Sequence, residues 1–364
     1  MALFLWLSQW VSQRHALVTT LGVILGAAPL PYSTMMFSHA LAAGCIAIAI
    51  WALMRRNGGF THCMAASPPP NLSPKVAEGV PEGLGSARGS VRWDIIAGLA
   101  IGLALASEYS SGLVVVGVVA CLVGAQWNRL AAIGVGALPP LSLVPAYSWA
   151  CLGTPLKLPY SYQASFPDMM EGVYAIKWPD LETLLNLLFS TERGLFFWSP
   201  FLLLAWVGCF LMRGLPRRWF VLCYVIPVMH ILIISGRVWD WPAGPTLGPR
   251  LLTPIIPLLA LPCALAVKRF PKTGIALASY SIALITLATL TNACPPYSIG
   301  NPLTQSHIPL LMQGKFSPNL GMVLGLPPFA SVAVYYAILI GGGWCLWRRL
   351  TNLELNQNSG GSKA

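Results

Sequence analysis

Apolar residues run along this chain in long blocks, each closed by a break of basic, Pro or Gly residues. A helix crosses a hydrocarbon core of about 30 Å with roughly 20 residues at 1.5 Å each. Ten blocks approach that length: 16–31, 34–54, 93–107, 110–126, 130–150, 195–212, 219–235, 251–267, 273–290 and 328–347. The pattern predicts an all-α, polytopic integral membrane protein of ten spans in a single transmembrane domain, 1–364. Residues 1–13 are apolar but too short to cross, and read as an interfacial helix or the remnant of a span.

Charge gives the spans a direction. Numbered alternately, the breaks place Arg14, Arg55, Arg56, Lys75, Arg88, Arg92, Arg129, Arg213, Arg217, Arg218, Lys268, Arg269, Lys272, Arg348, Arg349 and Lys363 on one side. Lys157, Lys177, Arg193, Arg237, Arg250 and Lys315 remain on the other. The positive-inside rule makes the first side cytosolic and puts both termini there. Tryptophans such as Trp51, Trp93, Trp127, Trp149, Trp219 and Trp344 fall at span ends, where an aromatic belt sits.

Segment 55–92, with Pro68-Pro69-Pro70 and scattered Gly and Ser, reads as a disordered cytosolic linker. The outer side holds two long loops, 151–194 and 291–327, with amphipathic stretches at 180–189 and 303–312. Such helices lie flat at a membrane surface and roof a cavity.

Composition agrees with the pattern. The chain is 56% hydrophobic and 9% charged, against about a quarter charged in soluble domains, and its mean hydropathy is +0.67. Its net charge of +11 is spread between apolar blocks, so it reads as topology and not as a nucleic-acid surface. There is no CxxC, HExxH, Walker A or GxGxxG pattern. A divalent cation stays open as a cofactor, with no clear ligand set. Cys151 and Cys294 both fall at outer helix ends, in reach of a disulfide if the fold brings them together.

Candidate chemistry collects on the outer side. The loop 239–250 ends in Gly248-Pro249-Arg250 and runs straight into an apolar helix. Arg250 there has a guanidinium able to fork onto a phosphate or carboxylate, although a snorkelling anchor is the plainer role for a lone arginine. Arg193 precedes an apolar helix in the same way, within Ser190-Thr191-Glu192-Arg193-Gly194, and two such arginines make a cationic pocket. Pro31-Tyr32-Ser33 leads to His39, about two turns inside the next helix; a packing hydrogen bond and a ligand role are equally open for it. Glu108-Tyr109-Ser110-Ser111 turns between two spans that have only 34 residues for both crossings. That sinks Glu108 below the interface, where a carboxylate must be paired or hydrated. Tyr160, Tyr162 and Trp239 have the character of belt residues or of sugar-stacking ones.

The succession PYSTMMFSHALAA, SEYSSGL, GTPLKLPYSY, LLFSTERGLFFWSP and GPRLLTPIIPLLALP resembles a group of bacterial polytopic proteins. These are similar to the GT-C superfamily, which includes protein O-mannosyltransferases and lipid A aminoarabinose transferases. The resemblance implies sugar transfer from a polyprenyl-phosphate donor to an envelope acceptor at the outer face of the bacterial inner membrane. Arg250 and Arg193 would then hold the donor phosphate, and Tyr32, His39, Tyr109, Tyr160, Tyr162 and Trp239 would line the cavity. GT-C enzymes carry an acidic residue in the first outer loop, as general base or metal ligand, and here Pro29–Ser33 has none. The helices bearing that loop have no counterpart, so the chain is expected to match the carboxy-terminal two-thirds of a transferase, or a relative that has lost the reaction. Asp240, beside the Arg250 loop, and Glu108 are the remaining candidates for a catalytic carboxylate, with Asp168 and Glu171 less favoured. Two rivals stay open: a transporter of lipid-linked sugar or phospholipid, and a non-catalytic subunit whose partner chain supplies the missing helices. Membrane lipids are expected around the chain in every case.

Overall fold

The computed structural model describes residues 1–35, 37–57, 91–155, 177–237, 241, 243–296 and 300–360, with side chains through 349. Among these residues there are helices and no strands. The α-helices are α1 (Ala2–Leu7), α2 (Gln13–Ile24), α3 (Pro29–Ser33), α4 (Ser38–Arg56), α5 (Val91–Ser107), α6 (Gly112–Leu122), α7 (Trp127–Leu152), α8 (Leu181–Phe189) and α9 (Leu195–Trp198). They continue with α10 (Leu204–Leu211), α11 (Arg217–Phe220), α12 (Ile226–Ser235), α13 (Ile256–Arg269), α14 (Pro271–Asn292), α15 (Ile308–Met312), α16 (Leu320–Val323) and α17 (Pro328–Gly360). A 3₁₀ segment, Arg250–Ile255, leads into α13, and a π-turn, Val221–Val225, joins α11 to α12.

Six helical stretches among the described residues are long and apolar enough to cross a membrane: Ser38–Arg56, Trp127–Leu152, Arg217–Ser235, Arg250–Arg269, Pro271–Asn292 and Pro328–Arg349. The remaining four apolar blocks form shorter helices. Pro29 starts a new helix and divides the first block into α2 and α3. Pro200, which has no N–H to give, opens a separate 3₁₀ turn and splits the sixth into α9 and α10. Gly124, at φ 66°, lies just beyond the end of α6. By contrast, Pro139, Pro140 and Pro145 lie inside a continuous α7, so no broken helix arises there.

The stretch 1–13 packs one face on the bundle. Trp6 and Leu7 of α1 are fully buried, and Trp6 and Trp10 pack on Trp219 at ring distances of 6.2 and 4.9 Å. At the centre of the bundle runs Arg250–Arg269, 89% of whose spanning window is buried, against 6% for the window of α17. Close approach follows from small residues. A Cβ on Gly98 of α5 would overlap the Ile133 carbonyl, and one on Gly136 of α7 would overlap that of Ile95. A Cβ on Gly208 of α10 would likewise collide with Pro262. Without a hydrophobic drive between helices in lipid, such backbone contacts carry the association.

The helix ends sort into two groups. At the basic end, Asp94 is 1% exposed and accepts from Arg129 Nη2 at 3.0 Å and Arg56 Nε at 3.1 Å. Arg129 Nη1 donates to Asn57 Oδ1 at 2.7 Å, and Asn57 reaches the Leu122 carbonyl at 3.4 Å. The end of α4, the start of α5, the end of α6 and the start of α7 are thereby tied together. The opposite end gathers the start of α4, the end of α5, α3 and the 243–250 loop. This alternation is what the sequence pattern requires of α4 to α7.

Candidate functional site

Tyr32 sits at the middle of the opposite end. It is completely buried, and its hydroxyl donates to the carbonyls of Leu247 at 2.8 Å and Gly248 at 3.2 Å. Burial raises its pKa well above the usual phenol value, against the pull of Thr246, Arg250 and Arg193. It therefore remains a protonated donor that pins the loop. Gly248 adopts φ 72°, in the left-handed region where a side chain is strained, so glycine is what lets the chain turn into Pro249 and Arg250.

Arg250 is half-buried, with its guanidinium carbon 5.3 Å from the centre of the Phe37 ring. Its Nε is buried without a hydrogen-bond partner, and no carboxylate pairs with Arg250 among the described residues. Phe37 also faces Tyr32 at 5.8 Å and His39 at 6.2 Å. The Cys294 thiol adjoins the same group: burial raises its pKa while Arg250 pulls the other way.

His39 is buried at the first turn of α4, and its Nε2 lies 3.1 Å from Glu108 Oε2. Glu108 also receives Ser38 Oγ and the Ser110 backbone N–H, both at 3.4 Å. The sunken carboxylate expected from the 34-residue hairpin thus has a partner, a histidine of another helix. His39 Nδ1 is buried with no hydrogen-bond partner among the described residues. An orphan arginine nitrogen and an orphan imidazole nitrogen therefore flank one phenylalanine ring.

Arg193 takes a different position. It is 1% exposed; Nη1 donates to the Gly244 carbonyl and to Thr246 Oγ1 at 3.2 Å, and Nε lies 3.3 Å from Glu192. Ser190 caps this turn by accepting from the Arg193 N–H at 3.1 Å. Arg193 acts on the loop that carries Arg250, and both charges reach Tyr32. Tyr109 is exposed on the turn after Glu108. Asp240, Trp239, Tyr160, Tyr162, Asp168 and Glu171 lie outside the described residues.

Two histidines beyond the sequence reading belong to this end. His230 of α12 holds the Leu251 carbonyl at 2.9 Å. His307 is held by Thr291 Oγ1 at 2.9 Å and packs edge-on to Trp198 at 5.6 Å. A histidine inside an apolar block, as in VMHILI, was the signal available for His230. Cys151 and Cys294 are both free thiols. No group of three or more His, Cys, Asp or Glu among the described residues is placed to hold a metal ion. No family model, curated protein or solved structure matches this chain.

Proposed function

We propose that the chain binds the phosphate of a polyprenyl-phosphate sugar at Arg250 and supports glycosyl transfer to an envelope acceptor at this end of the bundle. The observation that carries the reading is Arg250 itself, a half-buried guanidinium with no carboxylate paired to it among the described residues. The paired His39 and Glu108 across Phe37 give the same place a proton acceptor. In the transfer, the bond between the anomeric carbon and the phosphate oxygen breaks and one to the acceptor hydroxyl oxygen forms. The hydroxyl proton passes to Glu108, which His39 orients. The phosphate leaves on the lipid with an added negative charge, and Arg250 neutralises it. Arg193 contributes by bracing the loop through Gly244 and Thr246.

A non-catalytic subunit is the second reading. It draws on α17, whose spanning window is only 6% buried and offers almost its whole surface to another helix.

The test is binding of a short-chain polyprenyl phosphate to the purified chain. Arg250→Ala should weaken it by roughly 10- to 100-fold, the worth of a charge-assisted bidentate contact. Arg348→Ala, at the far end of the chain, should leave it unchanged. Equal effects from the two would reduce Arg250 to a membrane anchor. Transfer assays with Glu108→Gln then separate the readings, since a transferase loses turnover with donor binding intact and a subunit has none to lose.

A further inference from the structure

We propose that α8 lies in the lipid interface at the end of the bundle opposite the Asp94 network, with Trp178, Leu181, Leu185 and Phe189 against phospholipid. This stripe is a second apolar face of the helix. The first is spent on the bundle: Thr183 and Leu187 are buried where α8 packs on α9 and α12. At roughly 3.6 residues per turn, Leu181, Leu185 and Phe189 fall on the opposite side. They are 69%, 51% and 55% exposed, and Trp178, just before the helix, is 91% exposed.

A helix at a water-facing surface keeps its outward side polar. What covers this one follows from its depth. The Lys177 N–H donates to the Gly236 carbonyl at 3.0 Å, and the Asp180 N–H to that of Ser235 at 3.4 Å. Ser235 is the last residue of the spanning stretch Arg217–Ser235. The start of α8 is thereby fastened where a span leaves the hydrocarbon, and a side chain pointing away from the bundle at that level meets lipid. The two flanks agree. Glu182 and Asn186 share one, which suits water, and the half-buried Leu184 and Leu188 share the other. Exposed Lys177 stands next to Trp178, and a cation beside an indole is the pair that sits among phosphate headgroups. A helix lying along the outside of the bundle needs this division between bundle, lipid and water.

The experiment places the photoreactive residue p-benzoylphenylalanine at position 185 of the full chain. The chain is irradiated in the membranes of the cells that make it and, after purification, in vesicles of phosphatidylglycerol and phosphatidylcholine. Mass spectrometry of the intact product identifies what has been captured. The chain plus one phospholipid is expected in both settings, at several times the yield from the same group at Glu182 on the polar flank. Position 181 should give the same product, and carries the test if the 185 variant does not fold. Capture of a second copy of the chain, or of another protein, would make the stripe a protein interface and overturn the proposal. Equal lipid capture at 185 and 182, or none at either 185 or 181, would overturn it as well, by leaving the stripe in water.

Discussion

At the scale of single residues, Pro254 explains His230. In the 3₁₀ segment Arg250–Ile255 each carbonyl seeks the N–H three residues on, and for Leu251 that residue is Pro254, which has none. His230 Nε2 lies 2.9 Å from this carbonyl, and since a carbonyl only accepts, the ring nitrogen carries the proton. The hydrogen bond fixes the residue next to Arg250. Replacing His230 by Leu should leave a buried carbonyl without a donor and cost about 1–3 kcal/mol. His230→Gln, which keeps an N–H, should recover most of it. Thermal unfolding in detergent measures both; a Leu variant as stable as the parent would show that the bond holds nothing. The pairing of His230 with Leu251 could not be read from the sequence, because it joins two apolar blocks with a loop between them. Glu108 was legible as a sunken group from hairpin length alone, whereas its partner was not, since nothing in the sequence relates His39 to it across 68 intervening positions.

At the scale of elements, amphipathic stretches were legible and proline breaks only in part. The stretch at 180–189 becomes α8, with Asp180 accepting the Thr183 N–H at 2.7 Å, and 303–312 becomes the π-turn Leu303–His307 and α15. Apolarity alone does not show whether a proline is absorbed, as in α7, or ends a helix, as at Pro200; the packing around it decides. The π-turn brings its own consequence. His307 is buried outside the spanning segments, and burial pushes its pKa down to about 4 from an ordinary 6.5. Between those values the unfolded chain takes up a proton that the folded chain refuses. Stability should therefore fall as pH drops from about 6.5 to about 4, by up to roughly 3 kcal/mol, and be level above that window. His307→Gln should flatten this part of the profile. The difference between the two pH–stability curves is the measurement, and parallel curves would remove His307 as their cause.

At the scale of the whole molecule, the two ends use the same residue types to opposite effect. Asp94 with Arg129 and Arg56 is a closed set: its carboxylate is buried and both arginines are spent on it. Arg250 is the open case, half-buried beside His39, Phe37 and Cys294 with no carboxylate paired to it among the described residues. A buried pair broken on one side leaves a charge uncompensated, which costs about 3–5 kcal/mol, while a partly exposed arginine held only by an aromatic face costs far less to remove. Asp94→Asn should therefore lower the unfolding midpoint sharply, because Arg129 keeps its charge inside the junction of α5 and α7. It should not change the affinity for polyprenyl phosphate at temperatures where the variant is folded. Arg250→Ala should do the reverse, with little effect on unfolding and a large loss of binding. Unfolding and binding measured on both variants give four values, and the reading requires the crossed pattern. If Asp94→Asn weakened binding as much as Arg250→Ala does, the two ends would form one coupled unit and the anion site could not be assigned to Arg250.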